Sequence, residues 1–315
     1  MKRISIVKNF KIWITISIVF IVLGMWSFAE HHRLSIEFTG GIDTTITGQH
    51  NIDEEKLEWI LANFEADVTV VSDGIDTELL IVPKKLWDSK PVEVWDVAYN
   101  YLLQEKHIVW DENIKSTSFI WPSIWEYMKG AAVTAIIWGV ALMGIYILIV
   151  FVGVREYFSP WIFSLVTVVT LMHDVIIAAW GYGVLMMFDS MTMIDSVFVM
   201  AILTVLGYSI NDTIVIFDRL RENIIKYHEK IKKGTKKLSE VFDESLYQTM
   251  RRSIGTSVST FVVVASMWFI GTEVLKEFSF VIMIGIVAGT YSSIFIAAPM
   301  AYRINKGLQK KEKKQ

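Results

Sequence analysis

Six apolar runs, each long enough to cross a bilayer, leave this chain little choice of fold. They cover about 12–29, 131–152, 161–188, 192–217, 253–270 and 278–302. A hydrocarbon layer about 30 Å thick needs about 20 residues of helix. Backbone amides in lipid have no water to bond, so each run is expected to be helical. With 53% hydrophobic residues, mean hydropathy +0.44 and 12 Trp in 315 residues, the chain lies outside the soluble globular class. The expected fold is an α-helical integral membrane protein with six transmembrane helices and one small α+β domain between helices 1 and 2.

The first run follows Lys2, Arg3, Lys8 and Lys11 with no acid among them. Ser27-Phe28-Ala29 resembles a small-x-small cleavage site, but the run is longer than a usual signal core and has Trp13 and Trp26 near its ends, so a retained helix within segment 1–29 is favoured. Residues 30–127 hold 19 acidic and seven basic residues. Period-2 and helical spacings predict a strand over 35–47, a helix over 53–64, strands over 67–71 and 78–82, a helix over 92–105 and a strand over 117–121. That β-α-β-β-α-β order is the ferredoxin-like split βαβ layout, with both helices on one sheet face. His31, His32, His50 and His107 show no metal-ligand spacing, so neither metal nor cofactor is expected.

Charge sets the expected orientation. The N-terminus, the 153–160 connector, a loop over 218–252 and the basic tail at 304–315 with Arg303 hold 21 of the 30 Lys and Arg residues. These segments are expected to face the cytoplasm, with both termini, as in a multi-pass protein of a prokaryotic plasma (inner) membrane. The α+β domain and the turns near Asp189 and Glu273 are then outside, and residues 128–303 form helices 2–6.

Polar residues inside the spans mark candidate sites. Asn211 and Asp212 lie within the fourth run, and Tyr208, Asn211, Asp212, Val215, Arg219 and Glu222 fall on one helical stripe. A carboxylate in hydrocarbon costs several kcal/mol unless protonated, paired or wetted, which makes Asp212 a functional candidate; solvation near the cytoplasmic interface is the plainer alternative. His173 and Asp174 sit about 20 Å along the third run, near the midplane, as a structural hydrogen bond or a proton relay. Ser253, Thr256, Ser257, Ser259 and Thr260 in the fifth run allow close packing or a wet path, and Gly285 and Gly289 in the sixth mark a packing face. With zero cysteines, no Gly-x-Gly-Asp protease motif, no Ser-His arrangement and no phosphate-cradling loop, the chain is not expected to be an enzyme. No nucleic-acid partner is expected either.

Gly207-Tyr-Ser-Ile-Asn-Asp-Thr-Ile-Val-Ile-Phe-Asp-Arg-Leu-Arg-Glu-Asn223 resembles the signature of SecF, a protein-export membrane subunit of the SecD/SecF family and the resistance-nodulation-division superfamily. Three other stretches agree in order: Ser35-Ile-Glu-Phe-Thr-Gly-Gly41, Leu171-Met-His-Asp-Val175 and Gln248-Thr-Met-Arg-Arg-Ser-Ile-Gly-Thr-Ser257. In the first, Glu37 stands where Asp is usual in bacterial members and Ser35 replaces a usual Gly, followed by Phe38, Thr39, Gly40 and Gly41. The resemblance implies an accessory subunit of the Sec translocase that pairs with a SecD-like subunit, associates with a SecY-type channel, and uses proton flow to help move exported unfolded polypeptide. It places the family's intramembrane acid on Asp212 and the arginine opening the fifth helix on Arg252, with Gly207, Ser209, Asp218 and Arg219 in the motif and Asn211, Tyr208, His173 and Asp174 as coupling candidates. Arg252 favours ionised Asp212 and burial favours the protonated form, an opposition suited to a proton carrier in membrane lipid. A non-coupled structural subunit and a small-molecule proton antiporter of the same superfamily are the competing classes.

Overall fold

The computed structural model describes residues 5–31, 33–48, 50–72, 76–83, 91–105, 114–120, 122–154, 158–188 and 192–312. Lys2, Arg3, His32, His107, Trp121, Arg155, Asp189, Lys313 and Lys314 lie outside these described residues. The chain divides into two compact units: Met1–Glu30, Ala135–Gly183 and Met200–Gln315 form one, and His31–Thr134 with Val184–Val199 form the other.

Among the described residues, six helices are long and apolar enough to cross a membrane: Phe10–Glu30, Glu126–Val150, Pro160–Phe188, Ser196–Lys232, Leu238–Ile270 and Val274–Gly307. They belong to α1 (Phe10–His31), α5 (Pro122–Val150), α6 (Pro160–Phe188), α7 (Ser196–Lys232), α8 (Leu238–Ile270), and α9 (Glu273–Ser292) continued through a π-helical turn (Ser293–Ala297) into α10 (Ala298–Glu312). The expected loop over 218–252 is instead a helical hairpin. Helix α7 runs on to Lys232 and α8 begins at Leu238, with Gly234 at φ 71° in the turn. Apolar residues keep helical spacing beyond the first charges, so Leu220 and Ile224 are buried together with Val241, Phe242 and Leu246. Asn223 Nδ2 donates to Ser245 Oγ at 2.8 Å and to Gln248 Oε1 at 2.9 Å, pinning the two arms.

Gly285 and Gly289 bring α9 against α7. A Cβ on Gly285 would overlap the Val205 side chain, and one on Gly289 would meet Ser209 Cβ at 2.9 Å. Gly285→Val is therefore expected to cost about 1–3 kcal/mol through overpacking. A drop in the thermal midpoint of the purified protein checks this, and an unchanged midpoint contradicts so close a crossing.

The second unit holds an antiparallel sheet in the order β2-β3-β1-β4, from β1 (Gly41–Thr47), β2 (Ala66–Ser72), β3 (Asp76–Pro83) and β4 (Ile114–Ile120). Helices α3 (Glu54–Ile60) and α4 (Pro91–Gln104) cover one face, as the split βαβ order requires. Ile42, Ile46, Leu79 and Ile81 alternate onto that face and pack with Leu57, Leu61, Val94 and Leu102. The stretch expected as one strand over 35–47 opens instead with a helical turn, α2 (Ile36–Thr39). Ser35 caps it by accepting from Glu37 N at 3.4 Å. Gly40 at φ 70° and Gly41 at φ 129° then turn the chain into β1, where a side chain on Gly41 would strike the Ile81 carbonyl.

The face opposite the helices carries two carboxyl groups, Asp43 on β1 and Glu78 on β3. Burial holds the Asp43 carboxyl above the ordinary carboxylate range, while its hydrogen bond with Glu78 acts in the opposite sense. One oxygen of Asp43 has no hydrogen-bond partner among the described residues. An acid raised on folding binds its proton more tightly in the native state, so the domain loses stability as pH rises from about 4 through the raised value. Asp43→Asn is expected to raise the domain's melting temperature at pH 7 and to change it little at pH 4. Thermal scans at the two pH values check this, and equal midpoints for variant and parent at pH 7 contradict it.

Candidate functional site

In the helical unit, polar side chains gather where α6, α7, α8 and the end of α9 meet. Asp174 on α6 is fully buried. Its Oδ2 accepts from Ser292 Oγ at 2.8 Å and from Ser209 Oγ, and its Oδ1 bonds His173 Nδ1 at 2.8 Å. The π-helical turn begins at the next residue after Ser292, and Ser293 within it bonds Thr213 of α7 at 2.8 Å. Inserting a residue into a helix re-aims the side chains around it, and here two consecutive serines serve two different helices. Sequence reasoning missed this turn; the adjacent Ser292 and Ser293 in an apolar run were its one visible signal.

Asp212 is 4% exposed and is far less well held. Ser257 Oγ of α8 donates to its Oδ2 at 3.3 Å, and Ser257 also bonds Thr290 of α9 at 2.6 Å. Ser253, one turn earlier on α8, is buried with no hydrogen-bond partner for its hydroxyl among the described residues. Among those residues no ion pair within 4.0 Å joins Asp212 to Arg252, and Arg252 is exposed in the isolated chain. The two carboxyl groups thus differ: Asp174 is bonded by three donors, whereas Asp212 has one long bond, from Ser257, with the Ser253 and Thr290 hydroxyls close by and Arg252 near enough to interact electrostatically.

The expected stripe along α7 divides. Ser209, Asp212, Thr213, Ile216 and Leu220 are buried, whereas Gly207 and Asn211 are exposed and Tyr208 is half-buried. At 100° per residue the buried face centres on Ser209 and Ile216, with Asp212 at its edge and Asn211 on the far side. Asn211 is therefore not gathered with Asp212, and the Tyr208 hydroxyl has no hydrogen-bond partner among the described residues. Asp218 and Arg219 belong to the hairpin: Arg219 Nε donates to Gln248 Oε1 at 2.6 Å and NH1 to Glu222 Oε2 at 2.7 Å, and Asp218 lies 3.7 Å from Arg221.

The remaining motif lies in the other unit. Glu37 Oε2 accepts from Ser196 N, the first residue of α7, at 2.6 Å. Phe38 is buried, and Thr39 Oγ1 bonds the Gly40 carbonyl at 3.1 Å.

These arrangements have relatives. Residues 102–307 match the family described as protein export membrane protein SecD/SecF, C-terminal. The protein translocase subunit SecF of Sebaldella termitidis is 32% identical over 317 residues, covering 96% of this chain and 92% of that one. SecF of Haemophilus influenzae is 32% identical over 271 residues, covering 85% and 76%. The crystal structure of SecDF, a translocon-associated membrane protein from Thermus thermophilus, superimposes with TM-score 0.71 at 25% identity. The match covers 96% of this chain but spans 39% of the SecDF chain. A super-membrane-facing form of SecDF matches with TM-score 0.63 at 26% identity. Transport rather than catalysis is the business of such a subunit, and with a family match over more than half of its length and relatives matched over most of theirs, the chain belongs to the SecF family of protein translocase subunits.

Proposed function

We propose that this subunit works with a SecD-like partner to draw on the proton-motive force and promote export of unfolded polypeptide through a SecY-type channel. The observation behind the reading is Asp212: a nearly fully buried carboxyl group in a membrane-spanning helix, ringed by the hydroxyls of Ser253, Ser257 and Thr290, with Arg252 near enough to interact electrostatically but not paired with it within 4.0 Å among the described residues. A group so placed is costly to ionise and open to a changing partner. In the proposed cycle Asp212 takes a proton from the outer side, and approach of Arg252 drives it off toward the cytoplasm. Asp174 holds the helices around it. The basic hairpin and both termini face the cytoplasm, and the acidic α+β domain faces outward.

The partner takes the outward face of α7 and α8. On α7 this face carries Thr204, Gly207 and Asn211, and on α8 Arg252, Gly255 and Ser259, all exposed. Small and polar residues on a lipid-crossing surface favour another helix over acyl chains. The solved SecDF chain, of which this chain matches 39%, is long enough to contain such a partner. Affinity purification from native membranes is expected to recover a SecD-like polypeptide in equal amount. Nothing lies within 4 Å of a Cβ placed on Gly207 or Gly255, so Gly207→Leu with Gly255→Leu leaves this chain's own packing intact. The double variant is expected to lower recovery at least about tenfold, since the close helix approach is lost. Equal recovery removes α7 and α8 as the docking face.

A further inference from the structure

The Ser35–Gly41 motif lies outside the membrane polar cluster, yet it touches the helix that carries Asp212. Three kinds of contact converge there. Backbone bonds run from Ile194 N to the Arg33 carbonyl at 2.7 Å and from Ser35 N to the Ile194 carbonyl at 3.0 Å, forming the parallel bridge of Leu34 with Ile194. The Arg33 guanidinium donates to the Met186 carbonyl at 2.7 Å. Glu37 accepts from Ser196 N at 2.6 Å, beside Asp195, whose own carboxylate accepts from Phe198 N at 2.8 Å. The amide-rich start of a helix favours both carboxylates, and Glu37 satisfies an amide that has no intrahelical acceptor. Beneath them Ile36 and Met193 pack against Leu80, Val82 and Ile120 of the sheet. The start of α7 is thus bonded through its backbone, capped by a charge and seated on β3 and β4. Asp212 lies about four and a half turns further along the same helix.

We propose that the 33–39 segment and the 193–198 start of α7 form a rigid joint that stays closed throughout the working cycle, with Glu37 as the positioning residue that fixes it. Displacement of α7 is then delivered to the sheet without slack. This rests on the proton-coupling reading above and adds the part that transmits the movement. It gives the motif residues separate tasks: Ser35 caps α2, Glu37 caps α7, and Gly40 and Gly41 turn the chain into β1.

The chain has no cysteine, so an introduced pair reads the joint cleanly. Bridged residues sit about one strand spacing apart, about 4.8 Å, within the Cα separations that disulfides span. In the full chain, in native membranes with its partner, Leu34→Cys with Ile194→Cys is expected to cross-link nearly completely on mild oxidation, with or without a proton gradient. The locked protein is expected to keep proton-driven export within about twofold of its reduced form. Glu37→Ala is expected to lower cross-linking in the same background and to lose export stimulation at least about tenfold while proton uptake dependent on Asp212 continues. Glu37→Gln, which keeps an acceptor oxygen, is expected to recover most of both. A locked protein that is inactive but revives on reduction overturns the proposal, because the joint must then open. So does Glu37→Ala with parental cross-linking and export. If Asp212→Asn leaves export untouched, the proton-coupling reading falls, while the cross-linking yields still decide whether the joint exists.

Discussion

Asp212→Asn is expected to abolish proton-driven stimulation of export, at least about a tenfold loss in membrane vesicles, while leaving the subunit folded and bound to its partner. The amide has nearly the shape of the carboxyl group and still accepts from Ser257, the hydroxyl 3.3 Å away, so packing is preserved. What disappears is the group proposed to bind and release a proton. One charge crossing 100 mV supplies about 2.3 kcal/mol, so a cycle that moves a domain against load needs more than one proton or a pH gradient as well. Arg252→Lys should fall between parent and Asp212→Asn: the charge remains, but the planar fork that suits a carboxylate is gone. Full stimulation in Asp212→Asn at matched protein levels would end the coupling account and leave a structural subunit.

Much of this architecture was written in periodicity. Six apolar runs became six candidate spans, and the acidic segment became a four-stranded sheet under two helices in the expected order. The failures have identifiable causes. The segment Ile36-Glu-Phe-Thr39 alternates like a strand, but the Ser35 cap before it and the Gly40-Gly41 stop after it close a single helical turn. Beyond Asp218 the sequence turns charged, which reads as a loop, yet Leu220, Ile224, Phe242 and Leu246 keep helical spacing and build a hairpin. The stripe on α7 was misplaced because a helix that is apolar nearly all round has no inward side of its own. Its neighbours decide, and Gly289 pressing on Ser209 turns that face inward and Asn211 outward. The partners of Asp174 were likewise illegible: two of its donors lie 35 and 118 residues away, and one stands at a π-helical turn whose single sequence sign, two adjacent serines, does not say which helix each serves.

The contrast between the two buried acids makes Asp174 the sharper test of which one moves protons. Its carboxylate satisfies Ser209, Ser292 and His173 together, on two neighbouring helices and its own. Asp174→Ala removes the shared acceptor and strands these donors where water is scarce, at a cost of about 1–3 kcal/mol for each group left unpaired and well under their full sum once they relax. The expected result is a total loss of about 3 kcal/mol, seen as a large fall in thermal midpoint and poor recovery of the subunit from membranes. Asp174→Asn retains one carbonyl oxygen for Ser209 and Ser292 and turns its amide toward His173, whose Nδ1 can take the acceptor tautomer. That variant is expected to stay within about 1 kcal/mol of the parent and to keep proton-driven export, because a carboxylate held by three donors is an anchor. Measured together, the two substitutions separate the roles. If Asp174→Asn folds normally yet loses stimulation as Asp212→Asn does, the proton path runs through the His173 and Asp174 pair as well, and the division between anchor and carrier is wrong.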